Sequence, residues 1–305
     1  MILSDLSDGE IARRLSMRGL AICCGPFIVR LISPIASVAD GIKLLYADYR
    51  LPQSDDFADF HLTVAPPKGI RRWLRPQVIF SLDGYRPFEP LPIVQAYPLF
   101  EWSLNWSIAN LAHQYLILHA AVIERGGCVL IMPGPPGSGK STLCAGLVSR
   151  GWRLFSDELA LIDVTDRRIY PLVRPISLKN ESLDVIRRFV PGVIFNRVTS
   201  DTAKGTVTHM KVPVEHIRRA DEPAPARWVV FPKYSAGEPA AFTPRPKATS
   251  MMELGRNAFN YSVLGGAGYD ALGDVIEASE CYDFRYGDLN DAVELFNRLR
   301  PSDGK

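Results

Sequence analysis

The sequence predicts an α/β fold preceded by a smaller α+β unit, and three observations carry the prediction. From residue 120 onward the pattern runs strand, turn, strand, helix, the order that places helices over a sheet. Within it an apolar strand at 128–132 enters a glycine-rich turn, GPPGSGKS at 134–141, and the turn opens directly into a helix-forming segment at 141–150. With 305 residues, 47% hydrophobic and 22% charged, the chain has the material for a core in each of two units.

Taken in order, residues 4–17 predict a helix with Ser7 or Asp8 as its N-cap and Gly19 as its stop. Apolar runs at 20–24 and 27–32 flank Gly25 and Pro26 and read as a hairpin. A helix over 33–46 follows, with Pro34 at its tolerated first position. Strands are expected at 60–64 and 78–82, the second closing through Asp83 and Gly84. Pro87, Pro90, Pro92 and Pro98 then interrupt regular structure, so the domain boundary falls there: a first domain over 1–98 and a second over 99–305. A linking helix at about 99–118 opens the second domain, its Trp102, Trp106, Leu111 and Tyr115 suited to packing.

Beyond the glycine-rich turn come strands at 152–155 and 159–162, a hairpin arm at 169–173 and a helix at about 181–189. Residues 199–211 read as a flexible polar loop entering a strand. Two further strands at 228–231 and 241–243, helices at about 247–261, 268–278 and 289–299, and a strand at 281–285 complete the chain. Residues 301–305 are expected to fray.

The 35 basic and 33 acidic side chains leave a formal charge of +2. No electrostatic footprint therefore argues for nucleic acid or an anionic membrane, and the basic run Arg71, Arg72, Trp73, Leu74, Arg75 reads as a solvated loop. Cys23, Cys24, Cys128, Cys144 and Cys281 are odd in number, form no C-x-x-C pair and fall mostly in apolar runs, which suits buried thiols in a reducing compartment. The amino terminus has no basic leader region, and the apolar run at 20–32 is broken by Gly25, Pro26 and Arg30. A cytoplasmic protein without nucleic-acid or membrane partners is the expectation.

Residues 134–141 match G-x-x-x-x-G-K-[ST], a phosphate loop in the strand-to-helix context that gives the pattern meaning. Gly134, Pro135, Pro136, Gly137, Ser138 and Gly139 would turn backbone N–H groups around a polyphosphate, and the helix N-terminus at Lys140, Ser141 and Thr142 adds its partial positive charge. Lys140 would reach the β/γ-phosphates, and Ser141 would offer its hydroxyl to Mg²⁺. Two places could supply a carboxylate near that metal: Asp163, ending the run 159–162, and the pair Asp157 and Glu158, ending the strand at 152–155. A βαβ crossover would return that strand parallel to the first, so its carboxyl end would lie beside the loop, with Asp163 one strand further along. Geometry favours the pair: one carboxylate to hold Mg²⁺, the other to take a proton from an attacking hydroxyl.

The string LHAAV at 118–122, the phosphate loop, and RGWRLFSDE at 150–158 together resemble the catalytic core of bacterial HPr kinase/phosphorylase. Over nearly its full length the chain resembles the HPr-kinase-related kinase A family, through LHAAV, PPGSGKSTLCA, SDELAL, SLKNES followed by DVIRRF, and NAFNY. The resemblance implies a phosphate-loop kinase domain of the HPr kinase and phosphoenolpyruvate carboxykinase type. It makes Asp157 the base toward a serine hydroxyl, Glu158 its acidic partner near the metal, and His119 a neighbour of the phosphates.

Two departures stand out. Thr142 replaces the glutamate that usually follows the loop Lys-Ser in the bifunctional enzymes. The signature EIRGLGIIDV gives way to SLKNESLDV at 177–185, which keeps a cation, Lys179, where arginine stood. Lys179, Lys204 and Arg256 are further candidates for clamping the transferred phosphoryl group or its acceptor. The expected activity is Mg²⁺- and ATP-dependent phosphorylation of a serine-type hydroxyl on a protein or ribosomal peptide. A kinase for free serine or a similar alcohol, and a non-catalytic ATP-dependent assembly module, stay open as alternatives. So does a homo-oligomer, since the bifunctional relatives form hexamers.

Overall fold

In the computed structural model, residues 1–53, 57–69 and 76–300 are described, and the chain is a mixed α/β structure that divides into two units. The basic run 71–75 and residues 301–305 lie outside the described residues. Among the described residues, no helix is long and apolar enough to cross a membrane.

The first unit comprises Met1–Ile108, Ser177–Asn180 and Val193–Arg218. Helix α1 (Asp8–Met17) is capped by Ser7, whose side chain accepts the Glu10 N–H at 3.2 Å. Strands β1 (Leu20–Cys24) and β2 (Phe27–Ile32) form the expected hairpin, and α2 (Ala36–Leu45) follows. Together with β3 (Phe60–Ala65), β4 (Gln77–Leu82) and β5 (Leu91–Pro92) they make a five-stranded sheet in the order β1-β2-β3-β4-β5. Alternate residues of β2, β3 and β4 are buried, as a sheet with one covered face requires.

Several expectations are corrected here. Pro92 and Pro98 do not interrupt structure: Pro92 lies on the edge strand β5 and Pro98 in the first turn of α3 (Ala96–Leu111), both places where a missing N–H costs nothing. Nor does α3 continue to residue 118, because a buried strand begins at Tyr115. Residues 199–211 form no flexible loop. They contain the antiparallel pair β12 (Thr199–Thr202) and β13 (Gly205–Met210), with Lys204 in the turn, and β11 (Ile176–Lys179) completes a three-stranded sheet, β11-β13-β12. Backbone pairing thus holds these later segments together within the first unit, so a single cut at residue 98 does not describe the chain.

The second unit, Ala109–Ile176, Glu181–Gly192 and Arg219–Lys305, is built on an eight-stranded sheet. Its long strand β6 (Tyr115–Arg125) pairs antiparallel with β7 (Cys128–Pro133) on one edge. On the other edge it pairs antiparallel with two shorter strands laid end to end, β8 (Arg153–Ser156) and β9 (Leu159–Asp163). Beyond β7 come β14 (Ala226–Tyr234) and β16 (Glu280–Tyr286), both parallel to β7, and then antiparallel β15 (Ala241–Pro244); β10 (Ile169–Tyr170) flanks β9.

Leu116, Leu118, Ala120 and Val122 of β6 point into one core with Val129, Ile131, Val229 and Cys281. Leu254 of α7 (Lys247–Arg256), which follows the short α6 (Val214–Arg218) in the chain, and Ala271, Leu272, Val275 and Ile276 of α9 (Gly266–Glu277), which follows the short α8 (Tyr261–Leu264), cover it. The period-2 alternation of a strand sends His119, Ala121 and Ile123 to the opposite face. There α4 (Lys140–Val148), which follows the glycine-rich turn, packs over β6, flanked by α5 (Ser182–Phe189) and α10 (Leu289–Asn297). Gly146 makes room for α10: a Cβ there would come within 2.9 Å of the Leu289 side chain.

Candidate active site

The turn between β7 and α4 has the backbone that its glycines dictate. Gly134, Gly137 and Gly139 have φ of 147°, 84° and 90°, values that side-chain-bearing residues rarely adopt. Pro135, Pro136 and Gly137 form the exposed outer edge, whereas Gly134 and Lys140 are buried. The Lys140 ammonium donates to the carbonyl of Gly134 and, at 3.0 Å, to that of Pro135, so the lysine lies across the loop. The Ser138 hydroxyl is buried and has no hydrogen-bond partner among the described residues. Gly139 caps α4 in a left-handed conformation, leaving the N–H groups of Ser141 and Thr142 in the first turn, where a helix provides no internal acceptor. An orphaned hydroxyl, a lysine and a helix N-terminus around one turn are the donor set that a polyphosphate takes.

The acidic pair sits at the break between β8 and β9. Val122 of β6 is flanked by Ile131 on one side and Ser156 on the other, so Asp157 follows at the level where β7 runs out into the loop. The direction expected for this strand holds, since β7 and β8 both run antiparallel to β6. The adjacency does not: β6 intervenes, and β8 lies two strand spacings, about 10 Å, from β7. The Ser156 Oγ accepts the Leu159 N–H at 3.1 Å and the Glu158 N–H at 3.4 Å, while Ala120 N–H donates to the Glu158 carbonyl at 3.2 Å. These bonds fix the break and leave both carboxylates clear of the ladder.

Asp157 is 6% exposed. Burial pushes the Cys144 thiol well above its ordinary range, and the Asp157 carboxylate pushes it further. Cys144 lies four residues after Lys140 and shares its face of α4.

His119 joins from β6. Its Nε2 lies 3.2 Å from Glu158 Oε2, its ring packs on Phe259 edge to face with centroids 6.0 Å apart, and its backbone N–H donates to the Asn257 carbonyl at 2.8 Å. Residues 257–260 line the β6 edge beyond β7: Leu118 bridges Ala258, Phe259 N–H donates to the Ile117 carbonyl, and the Asn260 side chain bonds Ile117 N–H at 3.0 Å and the Tyr115 carbonyl at 2.8 Å. Asn260 thus satisfies two backbone groups that no strand reaches.

Asp163, the generic alternative, is elsewhere. It pairs with Tyr115, five residues or about 17 Å along β6 from Ala120, and it caps its own turn through Thr165 and Asp166 N–H groups at 2.7 and 3.1 Å. It lies at the end of the line that β8 begins, rather than one strand further out. Arg256 ends α7 beside Asn257, but its side chain is exposed and pairs with Glu253 at 3.7 Å. Lys179 and Lys204 belong to the first unit, where the Lys204 ammonium stands 5.0 Å from the centre of the Trp102 ring.

Two residues that the motif does not reveal complete the loop. Tyr286, at the end of β16, donates its hydroxyl to the Gly139 carbonyl at 3.0 Å, and Tyr234, at the end of β14, donates its N–H to the Ser138 carbonyl at 3.1 Å. Their rings meet edge to face with centroids 5.5 Å apart. Burial raises the Tyr286 hydroxyl pKa, so it stays a donor across the physiological range.

Ser141, Asp157 and Glu158 offer oxygen donors, the chemistry that Mg²⁺ takes when phosphate oxygens supply its remaining ligands. No protein-family model matches the chain, and no curated protein is matched by it.

Proposed function

We propose that this chain is a Mg²⁺- and ATP-dependent kinase that transfers the γ-phosphoryl group to a serine-type hydroxyl of a protein or ribosomal peptide. In this reading the second unit is a phosphate-loop kinase domain of the HPr kinase and phosphoenolpyruvate carboxykinase type. The observation that carries it is the register of β6 with β7 and β8, which brings Asp157 to the level where β7 enters the glycine-rich loop.

Each residue then has a task. The loop N–H groups and Lys140 hold and neutralise the phosphates. Asp157 accepts the proton of the acceptor hydroxyl as its oxygen bonds to the γ-phosphorus and ADP leaves. Ser141 and Glu158 would hold Mg²⁺, which supplies charge neutralisation at the phosphate oxygens. His119, bonded to Glu158, fixes the orientation of that carboxylate.

Asp157→Asn tests the assignment, because it keeps size and polarity but removes the base. Transfer from γ-labelled ATP to the serine-bearing polypeptides encoded beside this chain's gene should fall at least about 100-fold, the lower end of general-base contributions, with ATP affinity nearly unchanged. Loss of binding together with transfer would give Asp157 a structural role instead. Label on a low-mass alcohol would move the acceptor to the small-molecule class.

A further inference from the structure

Two sides of the phosphate loop differ in chemistry. On the β6 and β8 side lie His119, Asp157 and Glu158, where transfer of the terminal phosphoryl would occur. On the other side, β14 and β16 run parallel to β7 and end at the loop, and in such sheets ligands bind outside the carboxyl ends of the strands. A nucleotide whose terminal phosphate faces Asp157 must carry its nucleoside away from the carboxylates, toward the ends of β14 and β16.

What stands there is aromatic and preset. Tyr234 is 51% exposed, although the strand leading to it is largely buried. Its backbone is tied to the loop at Ser138, and a Cβ on Gly139 would come within 3.1 Å of the Tyr234 Cβ, so the side chain begins at the loop itself. Its ring edge rests on the buried Tyr286, and Tyr286 stacks on Phe284 at an interplanar angle of 18°. The chain after Tyr234 is clamped as well: Ser235 N–H donates to the Tyr286 carbonyl at 2.9 Å, and the turn lies so close to Gly287 that a Cβ there would meet Gly237 N and Glu238 N at 2.6 Å. A half-exposed ring held this firmly has already lost the conformational freedom that stacking would otherwise cost.

We infer that Tyr234 is the platform on which the base of the bound nucleotide stacks, which makes it a binding residue of the site and sets adenine nucleotides apart from bare polyphosphate. The inference rests on the proposed ATP-binding role of the loop. Removing one aromatic stack typically weakens binding by about 5- to 100-fold.

The test compares MgATP with inorganic tripolyphosphate by titration calorimetry on the full-length protein, for wild type, Tyr234→Ala and Tyr234→Trp, with matching circular dichroism as the check on folding. The expected result is a loss of that size for ATP in Tyr234→Ala, unchanged tripolyphosphate affinity, and ATP affinity restored by tryptophan. Equal losses for both ligands would mean that Tyr234 shapes the loop and contacts no base, which overturns the inference, as would an unchanged ATP affinity. Wild-type protein that binds tripolyphosphate at the same affinity as ATP overturns it too while leaving the loop assignment standing. Binding of neither ligand removes the loop assignment and the inference with it.

Discussion

Gly139 and Tyr286 offer a quantitative check on the loop. Gly139 has φ of 90°, and a Cβ added there would fall well inside van der Waals contact with Tyr286 Oη. Gly139→Ala therefore incurs about 1–2 kcal/mol of backbone strain. Displacing the tyrosine, with loss of its bond to the Gly139 carbonyl, adds roughly another 1–2 kcal/mol. Tyr286→Phe alone should cost less, about 0.5–1 kcal/mol, because the Gly139 carbonyl keeps the Leu143 N–H at 2.9 Å. In the double variant the hydroxyl clash is gone, while the tight contacts with Tyr234 Cβ at 3.1 Å and the ring Cζ of residue 286 at 3.2 Å and the backbone strain remain. Its destabilisation should fall short of the sum of the two singles by about 1 kcal/mol or more. The assay is thermal unfolding of the four proteins in a double-mutant cycle, where 1 kcal/mol corresponds to roughly 2–4 °C in a unit of this size. Additivity within about 0.5 kcal/mol would refute the contact, and with it the idea that β16 holds the loop in shape.

Three further outcomes follow from the same geometry. Asn260→Ala should destabilise the protein by about 2–4 kcal/mol, since it leaves the Ile117 N–H and Tyr115 carbonyl inside the fold without their partners; chemical denaturation measures it, and a change below about 0.5 kcal/mol would contradict the role. The Cys144 thiol, raised by burial and then by Asp157, should resist alkylation at pH 8 in native protein and react only on unfolding, as mass spectrometry of iodoacetamide-treated samples would show. The folded-state pKa of that thiol is higher than its unfolded value, so its contribution to stability is complete below about pH 8.5 and is lost as pH rises toward the folded value. Between pH 8.5 and about 10, below tyrosine ionisation in the unfolded chain, wild-type stability should thus fall more steeply than that of Cys144→Ala; parallel slopes would count against the buried thiol.

How much of this could be read from the chain depends on the range of the interaction. The loop was legible because its chemistry is local: three glycines, a lysine and a helix start within eight residues. Asp157 was legible at one remove, because a strand following a helix must return toward the same end of the sheet. The direction came out as expected although β6 intervenes, since two antiparallel pairings restore the sense of β7. The helix expected to 118 failed where residues 115–118 are all buried, because a continuous apolar run has no period to read. Lys204 was placed in a loop for its polar surroundings, yet the turn at Lys204 and Gly205 joins two strands, with Gly205 at φ of 81° supplying the bend. Tyr234 and Tyr286 left no local signal, and Asn260 stood only within the string NAFNY with no role attached, for their roles exist only once distant strands have paired.

The break at Asp157 and Glu158 shows why a single strand can organise such a site. Had β8 and β9 been one continuous strand, every residue along it would alternate between the two buried faces of the sheet, and adjacent carboxylates would point to opposite sides. Ser156 interrupts this by accepting the N–H groups of Glu158 and Leu159, which turns the chain at Asp157 and Glu158; the Glu158 carbonyl still accepts from Ala120 N–H, and regular pairing with β6 resumes at Leu159. The same β6 brings His119 to pair with Leu159, directly after the break, and the His119 ring to Glu158. The carboxylates thus depend on the Ser156 hydroxyl, which holds the backbone of the break. In the proposed kinase Ser156 would be a positioning residue: its loss should be felt through the orientation of Asp157 and Glu158, in turnover more than in phosphate binding.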